Sequence, residues 1–165
     1  MREGDKLPGL ILFYSSIDIF ASITRPVTLL DTNGSIFRNW VDAYMLPSPP
    51  LRCTSMDFWG ARCGLLHTFT TESKKSREGH ARELGYIDSD SKADDLQRAD
   101  ANCVKYVVVG IPSLMRAFSS AVSKFGRALE SDAALRTRAE HHLKNFVSAE
   151  NLSAGEIERI KNKAP

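Results

Sequence analysis

The apolar run from Leu10 to Ile23 constrains this chain most, because the helix it spells is apolar on most of its sides. Ile11, Phe13, Tyr14, Ile17, Phe20 and Ala21 leave only a narrow polar strip of Ser15, Asp18 and Ser22. A helix of that kind belongs at the centre of a domain, with other elements wrapped around it. Asp5 can cap it, Pro8 suits its first turn, and Arg25-Pro26 stops it near Thr24. Crossing a bilayer takes about 20 predominantly apolar residues, and this run is broken by Ser15, Ser16, Asp18 and Ser22, so the reading is a core helix and no membrane partner. Glu3, Asp5 and Asp18 also argue against a secretory signal.

Helical periodicity continues through most of the remaining sequence. Ile36, Phe37, Trp40, Val41 and Tyr44 form a second apolar stripe, with Ser35 as its N-cap and Pro47-Ser48-Pro49-Pro50 as a rigid corner after it. A third helix lies within Met56 to Thr71. Leu114, Phe118, Ala121, Val122, Phe125 and Leu129 mark a fourth helix opening at Pro112-Ser113, and a partner runs from about Asp132 to Ala149. Ser153 and Glu156 form a capping box before a short charged terminal segment. The period shortens towards two only in Glu83 to Ile87 and Val104 to Val109, on either side of the acidic stretch DSDSKADDLQRADAN. The expected fold is mainly α: one domain over residues 1–165, a bundle of about five helices with a β-hairpin inserted at about 83–109. The hairpin is expected to be antiparallel with an exposed, mobile tip.

The chemistry open to such a chain is narrow. A net charge of +2 excludes a surface that coats nucleic acid wholesale and leaves local basic patches. Cys53, Cys63 and Cys103 have neither CxxC nor Cys/His spacing, so no disulfide framework and no metal site are expected, and a reducing cytoplasm fits best. His141 and His142 are adjacent and cannot face the same way on a helix, which makes one a core and one a surface residue. There is no glycine-rich phosphate loop, G-x-S-x-G, HExxH or paired-acid motif, and no cofactor is implied.

The third helix holds the exception. Phe58, Trp59, Leu65, Leu66 and Phe69 make an apolar stripe with Arg62 in its middle, and a cation there needs a carboxylate, an interface or an anionic ligand. Asp18 can supply the carboxylate, either to pair with Arg62 inside the bundle or to aim it at a substrate. Gly60 and Gly64 each cost about 1 kcal/mol relative to alanine and point to close backbone approach, within the chain or from a twin. Arg62 and His67 spell R-x4-H, a spacing that recurs at Arg136 and His141.

On Arg62 and His67 the chain resembles the HEPN (higher eukaryotes and prokaryotes nucleotide-binding) domains, small all-α proteins of which many are metal-independent ribonucleases; where that family commonly has Asn after the arginine, Cys63 stands here. The segment GARCGLLHTFTTESKKSREGHAREL also resembles segments of uncharacterised bacterial proteins. The HEPN resemblance implies RNA as substrate, Arg62 and His67 as catalytic residues and a homodimer sharing a composite cleft. The basic window holding Lys74, Lys75 and Arg77 would then bind phosphates. Two functions are carried forward: a non-enzymatic binding or regulatory module, a dimer or a scaffold for a protein partner, and, as the alternative, a HEPN-like endoribonuclease cutting single-stranded RNA without metal.

Overall fold

The computed structural model describes residues 6–47, 51–99, 105–144 and 162. Its first helix, α1 (Lys6–Thr24), is followed by α2 (Gly34–Trp40), α3 (Ser55–Thr68), a single turn α4 (Lys74–Arg77), α5 (Asp90–Ala99), α6 (Ile111–Ser131) and α7 (Ala133–Leu143), with strands β1 (Glu83–Ile87) and β2 (Tyr106–Gly110) on either side of α5. Helix takes up 69% of the described residues, so the chain is mainly α; seven α-helices lie among the described residues, and the expected bundle of about five is not confirmed. Asp5, residues 48–50, Cys103, Val104 and, apart from residue 162, the stretch past Lys144 that includes Ser153 and Glu156 lie outside the described residues.

α1 packs against α2, α3 and α7 and buries Leu10, Phe13, Tyr14, Ile17, Ala21 and Ile23. Its length and composition alone would let it cross a membrane, but this face of it lies in the domain core. Two groups of rings fill that core. Phe13 and Tyr14 meet Phe58 of α3, and Phe13 also meets Phe118 of α6. Nearer the helix end Phe20 stacks on Trp40 with centroids 5.6 Å apart, and Phe125 and Tyr44 pack around the pair. Each fully buried side chain of this kind contributes about 1.5–3 kcal/mol.

Local chemistry sets the helix ends. Asn33, not Ser35, caps α2, its side chain accepting from the backbone N–H groups of Ser35 and Ile36 at 3.0 and 3.1 Å. α2 runs on into a π-helical turn, Val41–Met45, which buries both of its end residues. α3 opens with a capping box: Thr54 accepts from Asp57 N–H, and the Asp57 carboxylate accepts from Thr54 N–H. The same carboxylate takes three more hydrogen bonds from Arg82, one from its backbone N–H at 2.7 Å and two from its guanidinium at 2.6 and 3.2 Å. It thereby ties the start of α3 to the approach of β1.

The two glycines of α3 are explained by the chain itself. A Cβ at Gly64 would lie 2.7 and 2.8 Å from the carbonyl oxygens of Thr70 and Glu72, and one at Gly60 would lie 2.8 Å from Cβ of Ala81. The chain folds back over α3 through Phe69, which takes the left-handed conformation at φ 54° and stands exposed. The close approach is therefore made by residues 70–81 of the same chain.

The strands form no hairpin. β1 and β2 are parallel, in register from Glu83↔Tyr106 to Ile87↔Gly110, and parallel strands need a crossover of a dozen or more residues, usually helical. The acidic stretch expected to be a mobile tip supplies that crossover as α5, which buries Ala93. Gln97 of α5 accepts from the backbone N–H of Val108 at 3.0 Å, and Asp90 binds Ser113 N–H and Arg116 at the start of α6. In α7 His142 is buried and donates through Nε2 to the carbonyl of Arg25 at 3.0 Å, while His141 is exposed.

Burial alone would raise the pKa of Asp57, but the hydrogen bonds from Arg82 and Thr54 outweigh it and hold the carboxyl below its usual range. Its stabilising contribution is then complete above the unfolded-state pKa and fades as pH falls through the lower folded-state value. Asp57→Ala should cost about 3–5 kcal/mol, because it strands the Arg82 cation. Thermal melts should also show an acid-side loss of stability in the wild type that Asp57→Asn lacks; parallel pH curves for the two proteins would contradict this role.

Candidate functional site

Asp18 of α1 and Arg62 of α3 meet where the two helices pack. Arg62 donates from Nε and Nη2 to Oδ2 of Asp18, each at 2.8 Å, and its third nitrogen, Nη1, lies 3.0 Å from Nε2 of His67. A guanidinium has only donors, so in this contact Nε2 of His67 is the acceptor and a ring proton belongs on Nδ1. The side chains of Arg62 and Asp18 are 20% and 23% exposed, so the ion pair is largely hidden, while His67 stands in solvent at the end of α3. Trp59 adds its ring beneath the cation, 5.2 Å from Cζ to the ring centroid.

Spacing alone does not produce this contact. Side chains three or four apart on a helix are neighbours, whereas five apart they diverge. Arg136 and His141 have the same separation on α7, and no hydrogen bond joins them; His141 stands edge-on to His142 instead. Arg62 and His67 meet because His67 occupies the last turn, beside the left-handed Phe69, and because Asp18 fixes the far side of the guanidinium.

Two depressions flank the chain of three residues. Asp18, Ile19, Ser22, Thr32, Trp59 and Arg62 line one of about 270 Å³. His67 lines another of about 440 Å³ with Cys63, Gly64, Thr70, Lys74 and Arg77 among its walls. The Arg62–His67 hydrogen bond joins the two walls, but the two side chains do not share one groove. Burial pushes the Cys63 thiol up, against the opposing pull of Arg62, and burial pushes that of Cys53 up to about 12, so neither is poised as a thiolate. Among the described residues no three His, Cys, Asp or Glu side chains are grouped to hold a metal ion.

The basic window divides. Ser73 caps α4, and this turn sends Lys74 and Arg77 into the groove of His67, while Lys75 turns aside to Glu78 at 3.2 Å. Lys74 also reaches Glu78, at 3.7 Å, and Arg77 reaches Glu72, at 3.3 Å. Exposed pairs of this sort contribute at most about 1 kcal/mol, so a phosphate can compete for these cations. Sequence reasoning overlooked Glu72 and placed Trp59 on the apolar stripe without its contact to the Arg62 cation. An acidic residue just before a basic run and an aromatic three positions before Arg62 were the available signals. The chain matches no family model, no curated protein and no solved structure.

Because the ion pair is largely hidden, removing one half should cost more than replacing both. Asp18→Ala leaves two guanidinium donors unpaired and should cost about 1–3 kcal/mol. Arg62→Leu strands the Asp18 carboxylate in the same way and should cost a similar amount, whereas the double variant Asp18→Leu/Arg62→Leu exchanges the pair for apolar contact and should stay within about 1 kcal/mol of the wild type. Thermal melts that leave both single variants unchanged would mean that the pair does not form in solution.

Proposed function

We propose that this helical domain cleaves single-stranded RNA without a metal, using His67 as proton acceptor and Arg62 as the group that stabilises the charge developing on phosphorus. The observation that carries this reading is the hydrogen bond from Arg62 Nη1 to His67 Nε2, on top of the Asp18 pair. It holds a cation and an imidazole in contact at the solvent edge, the combination that phosphoryl transfer to an internal hydroxyl needs. A phosphate oxygen arriving at Nη1 displaces His67, and the freed Nε2 lone pair takes the proton of the 2′-hydroxyl. The 2′-oxygen attacks phosphorus, the P–O5′ bond breaks, and the leaving oxygen is protonated by a second donor. A twin chain bringing its own His67 across a twofold axis, in its imidazolium form, fits that need, in keeping with the HEPN resemblance. The products are a 2′,3′-cyclic phosphate and a 5′-hydroxyl. Single strands are favoured because their backbone can bend into a shallow helical surface.

A second reading has its own support. All three nitrogens of Arg62 are engaged by Asp18 and His67, and Arg62 and His67 line separate depressions. On this reading the three residues fasten α1 to the end of α3, and the domain is a binding or regulatory module for a protein partner. The assay that separates the two is purified protein with end-labelled single-stranded RNA in EDTA. The nuclease reading expects cleavage to cyclic-phosphate ends, with His67→Ala and Arg62→Ala each slowing it by about 100-fold or more while the fold persists. Activity that survives in His67→Ala would come from a contaminant, and a wild type inert on every RNA would leave the binding module.

A further inference from the structure

The groove at His67 has a neighbour at Arg77. A second depression of about 690 Å³, lined by Glu72, Ser76, Arg77, Gly79, Glu83 and Lys105, shares both Glu72 and Arg77 with it. The ion pair between these two residues, at 3.3 Å, thus stands in the wall common to the two depressions, one at His67 and the other reaching Lys105 just before β2. Both partners are about half exposed, Arg77 at 58% and Glu72 at 52%, so the pair is free to open. Cations stand at each stage: Lys74 beside His67, Arg77 in the common wall, and Lys105 beyond it. Against them are the carboxylates of Glu72 and Glu83 in the walls and that of Glu78, which pairs with Lys74 at 3.7 Å; Glu83 also accepts a hydrogen bond from Thr71 at 3.1 Å. The hydroxyl of Ser76 is likewise spent, on the backbone of Ser73.

We propose that the two depressions together are the track for the chain of a single-stranded RNA beyond the scissile phosphate, and that Glu72 is an internal competitor that occupies Arg77 until a phosphate replaces it. The proposal rests on the nuclease reading for its substrate class, and it adds Lys105 and Glu72 to the residues that govern binding. A repeating polyanion suits the track because its cations are spaced along it and exposed, whereas the pocket beside Trp59 lies on the other side of Arg62. Opening the Glu72–Arg77 pair costs little, since an exposed pair is weak. The consequence is a sign that a mere solvated surface does not produce: neutralising Glu72 strengthens binding, and neutralising Lys105, remote in sequence from the basic window, weakens it.

The test is fluorescence anisotropy of a labelled 2′-O-methyl RNA oligonucleotide, which cannot be cleaved, against the full chain. Glu72→Gln should tighten Kd by about twofold to fivefold. Glu130→Gln on α6, outside both depressions, should leave it unchanged and so controls for net charge. Arg77→Ala and Lys105→Ala should each weaken binding and flatten the slope of log K against log salt by about 0.7. Cleavage of ordinary RNA by the wild type, combined with Glu72→Gln and Lys105→Ala affinities equal to the wild type, overturns the track and leaves the nuclease reading standing. The stated affinity changes without any cleavage keep the track and remove the nuclease. Binding of poly-glutamate in place of RNA by the wild type overturns the track outright.

Discussion

One buried carboxylate governs where the candidate site can form. Asp57 closes the first turn of α3 and at the same time collects the backbone and guanidinium donors of Arg82. That junction anchors the far end of residues 70–81 along α3, where the approach at Gly60 and Gly64 leaves no room for side chains between them. The groove of His67 is made by this doubling back, because its far wall is α4, which is short and has little of its own to hold it in place. A helix cap, a strand approach and a surface groove thus share a single charge.

The second dependence is between helices α1 and α3. α1 is hidden on several sides, and its one buried-edge carboxylate, Asp18, meets the one cation that α3 carries in its apolar stripe. Desolvating an isolated Arg62 there would be prohibitive, and Asp18 makes it tolerable. What this arrangement adds beyond stability is orientation. With Nε and Nη2 fixed by Asp18, Nη1 has one direction left, and His67 stands in it. The imidazole is held by a group that has only donors to offer.

Residues whose partners are set by helical period were legible. Asp18 and Arg62 could be matched from their places on two apolar stripes, the split between His141 and His142 followed from adjacency, and β1 was bounded by its change of period. The parallel pairing was not legible, because α5 carries so little apolar surface that its acidic sequence reads as a loop; its place is set by Gln97 and Asp90 reaching β2 and α6. Asn33 took the cap from Ser35 because its side chain spans two backbone donors. The contact of Arg62 with His67 was written only as a spacing, and the failure of Arg136 and His141 to repeat it shows how little the spacing decides. Glu72 and Lys105 are brought to one depression by the fold, 33 positions apart in a sequence that gives no sign of it.

The proposed nuclease turns on Arg62 Nη1 donating to the Nε2 lone pair of His67 and releasing the ring when a phosphate oxygen takes that donor. Nitrogen-15 NMR of the His67 ring reads this directly. At neutral pH the account predicts a neutral ring protonated on Nδ1, whose Nε2 signal shifts when uncleavable 2′-O-methyl RNA is added and whose tautomer changes in Arg62→Leu. A ring protonated on Nε2 in the free protein, or ring signals indifferent to both RNA and the loss of Arg62, would contradict it.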